Sequence, residues 1–232
     1  MSTEMKGSLI TPSKYEVVMG KQVNRIAVGT ARVAAEKVGG EIRPRRDRDS
    51  WEVDIFRYWL GMGFNFIDTA SMYGDAEIII GEAIKTHKRE NLVIATKVGK
   101  VPMAPDLIRE SIKESVKRLG TPPDIIFIHD RWSGMMGMEM KKCMQELDRA
   151  VDEGLARGIG ISNFKPEELE MAIDTAQHKI VAYQGKVNLT NPRGDAAQLI
   201  EICRENGIIT FWGDRGDLNS RPLPPQGSAL AN

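Results

Sequence analysis

The sequence contains little cysteine and no excess of charge of either sign. Two of its 232 residues are cysteine, Cys143 and Cys203, so a disulfide framework is excluded and a reducing compartment is expected. Lysine plus arginine and aspartate plus glutamate number 32 each, which gives a formal net charge of +0. No overall field would therefore draw the chain to nucleic acid or to an anionic membrane.

Long hydrophobic runs are also missing. No stretch approaches the ~20 consecutive apolar residues that a membrane-spanning helix needs, and residues 1–13 lack the apolar core of a signal peptide. These absences predict a cytoplasmic protein with no membrane partner. What the chain does contain is 41% hydrophobic residues, which is enough for one substantial core in a single domain.

Short apolar, β-rich runs alternate with longer amphipathic segments, a rhythm that is typical of βαβ units and a parallel sheet. Seven strands are predicted, at residues 25–30, 64–68, 92–97, 125–129, 159–162, 180–184 and 208–211. Helices are predicted between them, at about residues 50–60, 75–86, 105–119, a long segment ending near residue 156, 166–177 and 195–205. The rhythm favours an α/β fold of the (β/α)8 TIM-barrel type, truncated after the seventh strand. An open doubly wound sheet is the alternative.

The alternating pattern stops after Trp212. Residues 213–232 contain three prolines and several glycines and serines, without a strand or helix period. We therefore predict an incomplete (β/α) barrel over residues 1–212 and a disordered Pro/Gly-rich tail over residues 213–232. Seven strands without an eighth would leave edges at the first and seventh strands, through which the chain could self-associate.

Polar side chains end several of the predicted strands, and the active site of such a barrel lies at the C-terminal ends of its strands. These strand-end residues are Asp68, Lys97, His129, Ser162 with Asn163, and Gln184. A packed interior would not bury a carboxylate, an ammonium and an imidazole at one end without pairing them. A lone strand-end Asp or Lys more often belongs to a structural ion pair, but the convergence of the set predicts a site.

Tyr73 lies five residues after Asp68, in the loop that follows the second predicted strand. A phenol is a poor acid near neutral pH, because its unperturbed pKa is about 10. A neighbouring ammonium stabilises the phenolate and lowers that pKa. Lys97 could supply this charge, and Asp68 could hold Lys97 in place. Together with His129, these residues form a candidate proton donor for a carbonyl oxygen.

Several segments, which together span residues 19–211, resemble motifs of the aldo-keto reductase family. The signature of that family resembles GFNFIDTA at residues 63–70, Tyr73-Gly74, Glu77 and GEA at residues 81–83. Its lysine, histidine and fifth strands resemble ATK at residues 95–97, IFIH at 126–129 and GLARGIGISNF at 154–164. Its N-terminal hairpin and first strand resemble MGK at residues 19–21 and RIAVGT at 25–30. The combination is specific, whereas any one motif alone would not be.

The resemblance implies reduction of aldehydes or ketones, small-molecule carbonyl substrates, to alcohols, with NADPH or else NADH as the hydride donor. By that resemblance Tyr73 is the proton donor and Lys97 lowers its pKa. Asp68 pairs with Lys97, and His129 orients the substrate carbonyl. The cofactor-binding residues that the resemblance implies are Thr30, Asp68, Ser162, Asn163 and Gln184, and it implies no metal.

The resemblance ends at the seventh strand. After Trp212 the family usually continues with a Ser-Pro-Leu-like turn, an eighth strand and a basic segment that holds the adenosine phosphate, and none of these is recognisable in residues 213–232. Two functions therefore stay open. One is an NAD(P)H-dependent carbonyl reductase, and the other is a catalytically impaired relative or a non-catalytic binding or regulatory subunit.

Overall fold

The computed structural model describes residues 15–31, 33, 35–38, 41–44, 51–98, 105–129, 138–186, 195–213 and 221–223. In chain order its elements are β1 (Tyr15–Val18), β2 (Lys21–Asn24), β3 (Val28–Gly29), β4 (Ala35–Val38), β5 (Glu41–Pro44), α1 (Trp51–Gly61), β6 (Phe66–Asp68), α2 (Ala76–Ile84), β7 (Val93–Val98), α3 (Pro105–Leu119), β8 (Ile125–Ile128), α4 (Met138–Asp152), β9 (Ile159–Ser162), α5 (Pro166–Thr175), β10 (Ile180–Lys186), α6 (Ala196–Glu205), β11 (Ile209–Gly213) and β12 (Arg221–Leu223). A short 3-10 turn, Arg89–Asn91, precedes β7.

Seven strands lie side by side in the order β3-β6-β7-β8-β9-β10-β11, each parallel to its neighbours. Each strand pairs with the next strand along the sheet, so the order never reverses as it does in a doubly wound sheet. The sheet also curls, because the ring centroids of Phe66 on β6 and Phe211 on β11 lie 4.9 Å apart. These two strands are separated by four others, so the contact crosses a barrel interior. The predicted (β/α)8 type is confirmed, and the doubly wound alternative is wrong.

The seven predicted strands and six predicted helices are all present, with boundaries that shift by a few residues. The largest shortening is in the first strand, which was predicted over residues 25–30 and covers Val28–Gly29. An antiparallel hairpin of β4 and β5 was not predicted. Among the described residues no helix is both long and apolar enough to cross a bilayer.

The segment after β11 differs in part from the predicted disordered tail. Gly213 belongs to β11, and β12 pairs antiparallel with that strand, with Thr210 opposite Leu223 and Trp212 opposite Arg221. The predicted open edge of the seventh strand is therefore corrected over these residues. The physical reason is that the unpaired backbone N–H and C=O groups of an edge strand can form hydrogen bonds with an extended segment nearby. Residues 214–220 and 224–232, the rest of the predicted tail, lie outside the described part of the chain.

The core has an inner and an outer layer, since successive strand residues face opposite sides of a sheet. The inner layer fills the barrel and comprises Val18, Val23, Ala27, Phe66, Val93, Ala95, Ile125, Phe127, Ala182 and Phe211. Val18 and Val23 come from the β1–β2 hairpin and are fully buried, so this hairpin closes the N-terminal end of the barrel. The outer layers lie between the strands and the helices and include Ile67 and Ile94 on one side and Ile126, Ile161 and Tyr183 on the other.

A buried carboxylate fixes the hairpin to the barrel. Asp124 is fully buried, and its Oδ1 lies 2.7 Å from the ammonium of Lys21 on β2. Arg89 approaches Oδ2 at 2.7 Å, and the backbone N–H of Ile94 donates to the same oxygen at 2.9 Å. The N-terminal end of the barrel is thus held by paired charges, which leaves the opposite end for a site.

The two cysteines predict how the stability of the fold changes at alkaline pH. Both thiols are buried, and burial raises the pKa of Cys143 and of Cys203 from 9.0 to about 12. Above about pH 9 the unfolded chain loses these protons while the folded chain keeps them, so the free energy of unfolding falls as pH rises toward 12. We expect a loss of about 1–2 kcal/mol per thiol between about pH 8 and pH 10.5, measured by urea denaturation.

The control for this prediction is the double variant Cys143→Ala/Cys203→Ala. It is expected to be less stable than the original chain at both pH values, because cavities replace the two buried thiols. Its pH-dependent loss, however, is expected to be smaller. An identical loss in the two proteins would show that other groups cause the alkaline destabilisation.

Candidate active site

The strand-end residues that the sequence singles out lie at the C-terminal end of the barrel and share the inward register. Asp68 ends β6, Lys97 lies near the end of β7 and His129 directly follows β8. Ser162 ends β9 and faces Gln184 of β10 in the pairing register. Asp68, Lys97, His129 and Gln184 each lie two positions beyond an inner-layer residue of the same strand, and these inner-layer residues are Phe66, Ala95, Phe127 and Ala182. Ser162 lies two positions beyond Gly160, which faces the ring of Phe127. The site is therefore built on top of the packed barrel interior.

Asp68 and Lys97 form a buried ion pair. Each residue is 1% exposed, and the Lys97 ammonium lies 2.9 Å from both carboxylate oxygens of Asp68. The same ammonium donates to the backbone carbonyl of Thr69 at 2.9 Å. Charges so far from water are stable only when they are paired and hydrogen-bonded, so the position of each residue depends on the other.

Tyr73 completes the predicted group of four. Its hydroxyl oxygen lies 3.3 Å from Nε2 of His129, and the two rings meet edge to face with centroids 5.5 Å apart. The Lys97 ammonium lies 5.2 Å from the centroid of the Tyr73 ring. The structure thus brings a carboxylate, an ammonium, a phenol and an imidazole together, as the sequence predicted. The tautomer of His129 determines whether the Tyr73 hydroxyl or His129 Nε2 is the donor in this contact.

Backbone hydrogen bonds hold the loop that carries Tyr73 against β7. The N–H of Thr69 donates to the carbonyl of Ala95 at 2.9 Å, and the N–H of Ser71 donates to the carbonyl of Lys97 at 3.1 Å. A turn follows, in which Tyr73 donates to the carbonyl of Ala70. Gly74 then adopts φ +60°, a conformation that glycine enters without steric strain. The phenol is therefore presented from a segment tied to the strand that carries the lysine.

The amide of Asn163 joins the ends of three neighbouring strands. Its Nδ2 donates to the carbonyl of His129 at 3.1 Å and to the hydroxyl of Ser162 at 3.0 Å. Its backbone N–H donates to the carbonyl of Gln184 at 3.0 Å. Asn163 has φ 60°, a left-handed conformation that few residues other than glycine adopt. The three predicted cofactor residues Ser162, Asn163 and Gln184 are therefore neighbours, and Asn163 also contacts the segment of the catalytic histidine candidate.

Thr30 lies beside Asp68 and uses its hydroxyl within the protein. It is fully buried, its hydroxyl donates to Thr69 Oγ1 at 2.8 Å, and its N–H donates to the carbonyl of Asp68 at 3.1 Å. These contacts tie the end of β3 to the end of β6. Thr30 thus lies next to Asp68, and the contacts seen here are structural ones.

Sequence reasoning gave no role to Glu77, which the structure buries just behind the site. Glu77 is 1% exposed and receives hydrogen bonds from Thr96 and Arg118. The available signals were its place in the segment that resembles the family signature and its position as a single acidic residue within the otherwise apolar start of α2, AEIII. A buried acidic residue requires partners, but the sequence does not identify them.

The comparisons with known proteins agree with this geometry. The family model described as the aldo/keto reductase family matches residues 25–211, which is most of the chain. The chain belongs to the aldo/keto reductase family. The match covers every residue of the site described above, from Thr30 to Gln184.

Matches to individual relatives show what share of each relative's length this chain covers. The chain is 30% identical to aldo-keto reductase AKR2E4 of Bombyx mori, over 92% of this chain and 72% of that protein. It is 29% identical to the NADH-specific methylglyoxal reductase of Escherichia coli (strain K12), over 63% of this chain and 51% of that protein. The chain thus spans about half the length of some curated relatives that it matches.

Solved structures of aldo-keto reductases share the fold. The thermostable aldo-keto reductase Tm1743, crystallised with the inhibitor epalrestat, superimposes with a TM-score of 0.73 and 31% identity, over 84% of this chain and 70% of that one. AKR2E4 of Bombyx mori in complex with NADP superimposes with a TM-score of 0.67 and 24% identity, over 85% of this chain and 65% of that one. The fold assignment therefore rests on both sequence and structure.

Proposed function

We propose that this chain reduces aldehydes or ketones to alcohols with NADPH, or alternatively NADH, and that Tyr73 is the proton donor. The observation that carries the proposal is the position of the Tyr73 hydroxyl. It lies 3.3 Å from His129 Nε2, and its ring lies beside the buried Lys97–Asp68 pair. A fixed positive charge beside a phenol favours phenolate, so the proton is released more readily than from tyrosine in water.

The same geometry supports a role for each of the other three residues. A carbonyl oxygen next to the Tyr73 hydroxyl would also lie within reach of His129, so two donors would face the oxygen on which negative charge develops. Lys97 supplies the charge that makes the phenol acidic. Asp68 keeps the ammonium in place through two hydrogen bonds of 2.9 Å. The proton moves from the Tyr73 hydroxyl to the carbonyl oxygen.

The neighbouring strand ends offer groups that fit the carboxamide of a nicotinamide. Ser162 presents a hydroxyl that accepts a hydrogen bond from Asn163 and can itself donate one. Asn163 and Gln184 present amides beside it, and Thr30 and Asp68 lie across the barrel end at β3 and β6. A reduced nicotinamide held by these residues would supply the hydride. Family relatives support either form of cofactor, since one is crystallised with NADP and another is named NADH-specific.

A second candidate function is that of a catalytically impaired relative or a non-catalytic binding subunit. The observation that favours it is the antiparallel pairing of β12 with β11. A (β/α)8 barrel has a parallel strand beside its seventh strand. A short antiparallel strand in that place would change the loops that surround a bound cofactor and substrate.

Turnover of a panel of small aldehydes and ketones tests the proposal. Purified chain is mixed with NADPH, and in parallel with NADH, and oxidation of the cofactor is followed by its near-ultraviolet absorbance. We expect carbonyl-dependent oxidation of at least one cofactor. If neither cofactor is oxidised with any member of the panel, in a sample whose circular dichroism shows a folded α/β protein, the second candidate function replaces the first.

A further inference from the structure

We propose that Glu77 is a positioning residue that fixes the Tyr73 hydroxyl relative to the Lys97 ammonium. It does so by tying the helix that follows Tyr73 to the strand that carries Lys97. The inference deepens the proposed function, and for its turnover consequences it rests on that function. Its geometric content concerns the chain alone and can be tested without a substrate.

Glu77 makes two short hydrogen bonds to two different elements. It lies on α2 and is 1% exposed. Its Oε1 accepts a hydrogen bond from the Thr96 hydroxyl of β7 at 2.6 Å, and its Oε2 accepts one from Arg118 Nε of α3 at 2.6 Å. Because a buried carboxylate must keep its partners, these bonds fix α2 against both neighbours.

The bond to Thr96 couples α2 directly to the strand position of the catalytic lysine. Thr96 and Lys97 are consecutive residues of β7 and therefore face opposite sides of the sheet. Lys97 faces inward to Asp68, whereas Thr96 faces outward to Glu77. Two consecutive residues of β7 thus contact the chain before and after Tyr73. Lys97 contacts Asp68, which precedes Tyr73, and Thr96 contacts Glu77, which follows it.

Tyr73 lies four residues before Glu77 in the chain. The carbonyl of Tyr73 accepts a hydrogen bond from the N–H of Ala76, the first residue of α2, at 3.2 Å. Glu77 is the next residue. A displacement of α2 away from β7 would therefore move Tyr73 as well, and would increase the separation between its hydroxyl and Lys97.

The packing of α2 on α3 gives independent support for a rigid clamp. Gly81, one turn after Glu77, lies so close to α3 that a Cβ in its place would stand 2.6 Å from the carbonyl oxygen of Arg118. Arg118 therefore meets α2 twice, through its guanidinium at Glu77 and through its backbone at Gly81. With α2 seated on α3 in this way, the Glu77–Thr96 bond adds a direct polar contact between α2 and β7.

The test measures the ionisation of Tyr73 in the variants Thr96→Val and Glu77→Gln. Phenolate absorbance is titrated in the full chain, and the same titration of Tyr73→Phe identifies the contribution of Tyr73. Burial raises the pKa of Tyr183, so that residue stays out of the measured range. The charged or titratable groups placed against Tyr73 are Lys97 and His129, with Asp68 behind Lys97.

We expect the pKa of Tyr73 to rise by about half a unit or more in Thr96→Val and Glu77→Gln, because the ammonium that favours phenolate lies farther away. Thr175→Val is the matched control. The hydroxyl of Thr175 donates to the carbonyl of Met171 within α5, away from the site, so its loss should leave the Tyr73 titration unchanged.

Steady-state kinetics supply the second readout. In Thr96→Val we expect kcat to fall about tenfold with little change in KM, and the alkaline limb of the kcat profile to move to higher pH. If the original chain shows no turnover, the proposed function fails, and the titration still decides the role of Glu77. A lower melting temperature with an unchanged Tyr73 titration in both variants would overturn the inference, because Glu77 would then serve stability alone.

Discussion

Replacing Tyr73 with phenylalanine is expected to lower carbonyl turnover by about 10²–10⁴-fold, the range that a positioned general acid contributes. The substitution removes one oxygen from a side chain that is 7% exposed and leaves the ring against His129 and Lys97. Because the ring keeps its packing, cofactor affinity and melting temperature should change little. The measurement is kcat and KM for the best substrate of the panel, with cofactor binding measured in parallel.

Tyr58→Phe is the matched control for this variant. Tyr58 lies on α1 with 67% of its surface exposed, and the same loss of a hydroxyl there should leave turnover unchanged. Turnover by Tyr73→Phe within about threefold of the original chain would show that another group donates the proton, since a general acid contributes far more. His129 would then be the first residue to examine.

Breaking the buried ion pair should have the second largest effect, on stability as well as on activity. Lys97→Met leaves the Asp68 carboxylate, 1% exposed, without its cation. Removing one partner of a buried pair destabilises a protein by about 3–5 kcal/mol. We expect the urea midpoint to fall accordingly and turnover to be lost, because both the folded position of Asp68 and the acidity of Tyr73 depend on the ammonium.

The double variant Asp68→Asn/Lys97→Met separates the two effects. Replacing both charges removes the uncompensated carboxylate, so we expect it to recover part of the stability lost in Lys97→Met. Turnover should remain absent, because no cation lies beside the phenol. Arg204→Met, which breaks the exposed Glu201–Arg204 pair on α6, is the control and should not shift the midpoint measurably. Equal stability of Lys97→Met and the original chain would contradict the buried pairing.

The strand-end residues could be predicted because strand alternation determines which side chains face a barrel interior. Once seven strands are recognised, Asp68, Lys97, Ser162 and Gln184 follow from their positions at the ends of strands. The contact between Asn163 and the carbonyl of His129 could not be predicted in this way. It depends on a left-handed backbone at Asn163, φ 60°, and on the register of β8 with β9.

The features that sequence reasoning missed depend on contacts between distant residues. The Glu77–Thr96 bond joins a helix to a strand 19 residues away, and no local pattern pairs a glutamate with one particular threonine. The hairpin of β4 and β5 did have a signal, since Gly39-Gly40 separates two short segments of similar length. Strand β12 had no signal in the sequence, because a proline-rich composition predicts irregular structure. Pairing with the edge strand β11 overrode this local preference.

Transfer of deuterium tests most directly whether the four residues and the neighbouring strand ends form a carbonyl reductase site. The full chain is incubated with NADPH, and in parallel with NADH, each deuterated at both hydrogens of C4, together with one reactive aldehyde of the panel, and the product is analysed by mass spectrometry. We predict an alcohol that carries deuterium on the former carbonyl carbon, with the oxygen protonated from Tyr73, and no such product from Tyr73→Phe on the same time scale. Unlabelled alcohol, or no alcohol from a folded sample, would contradict hydride transfer at this site.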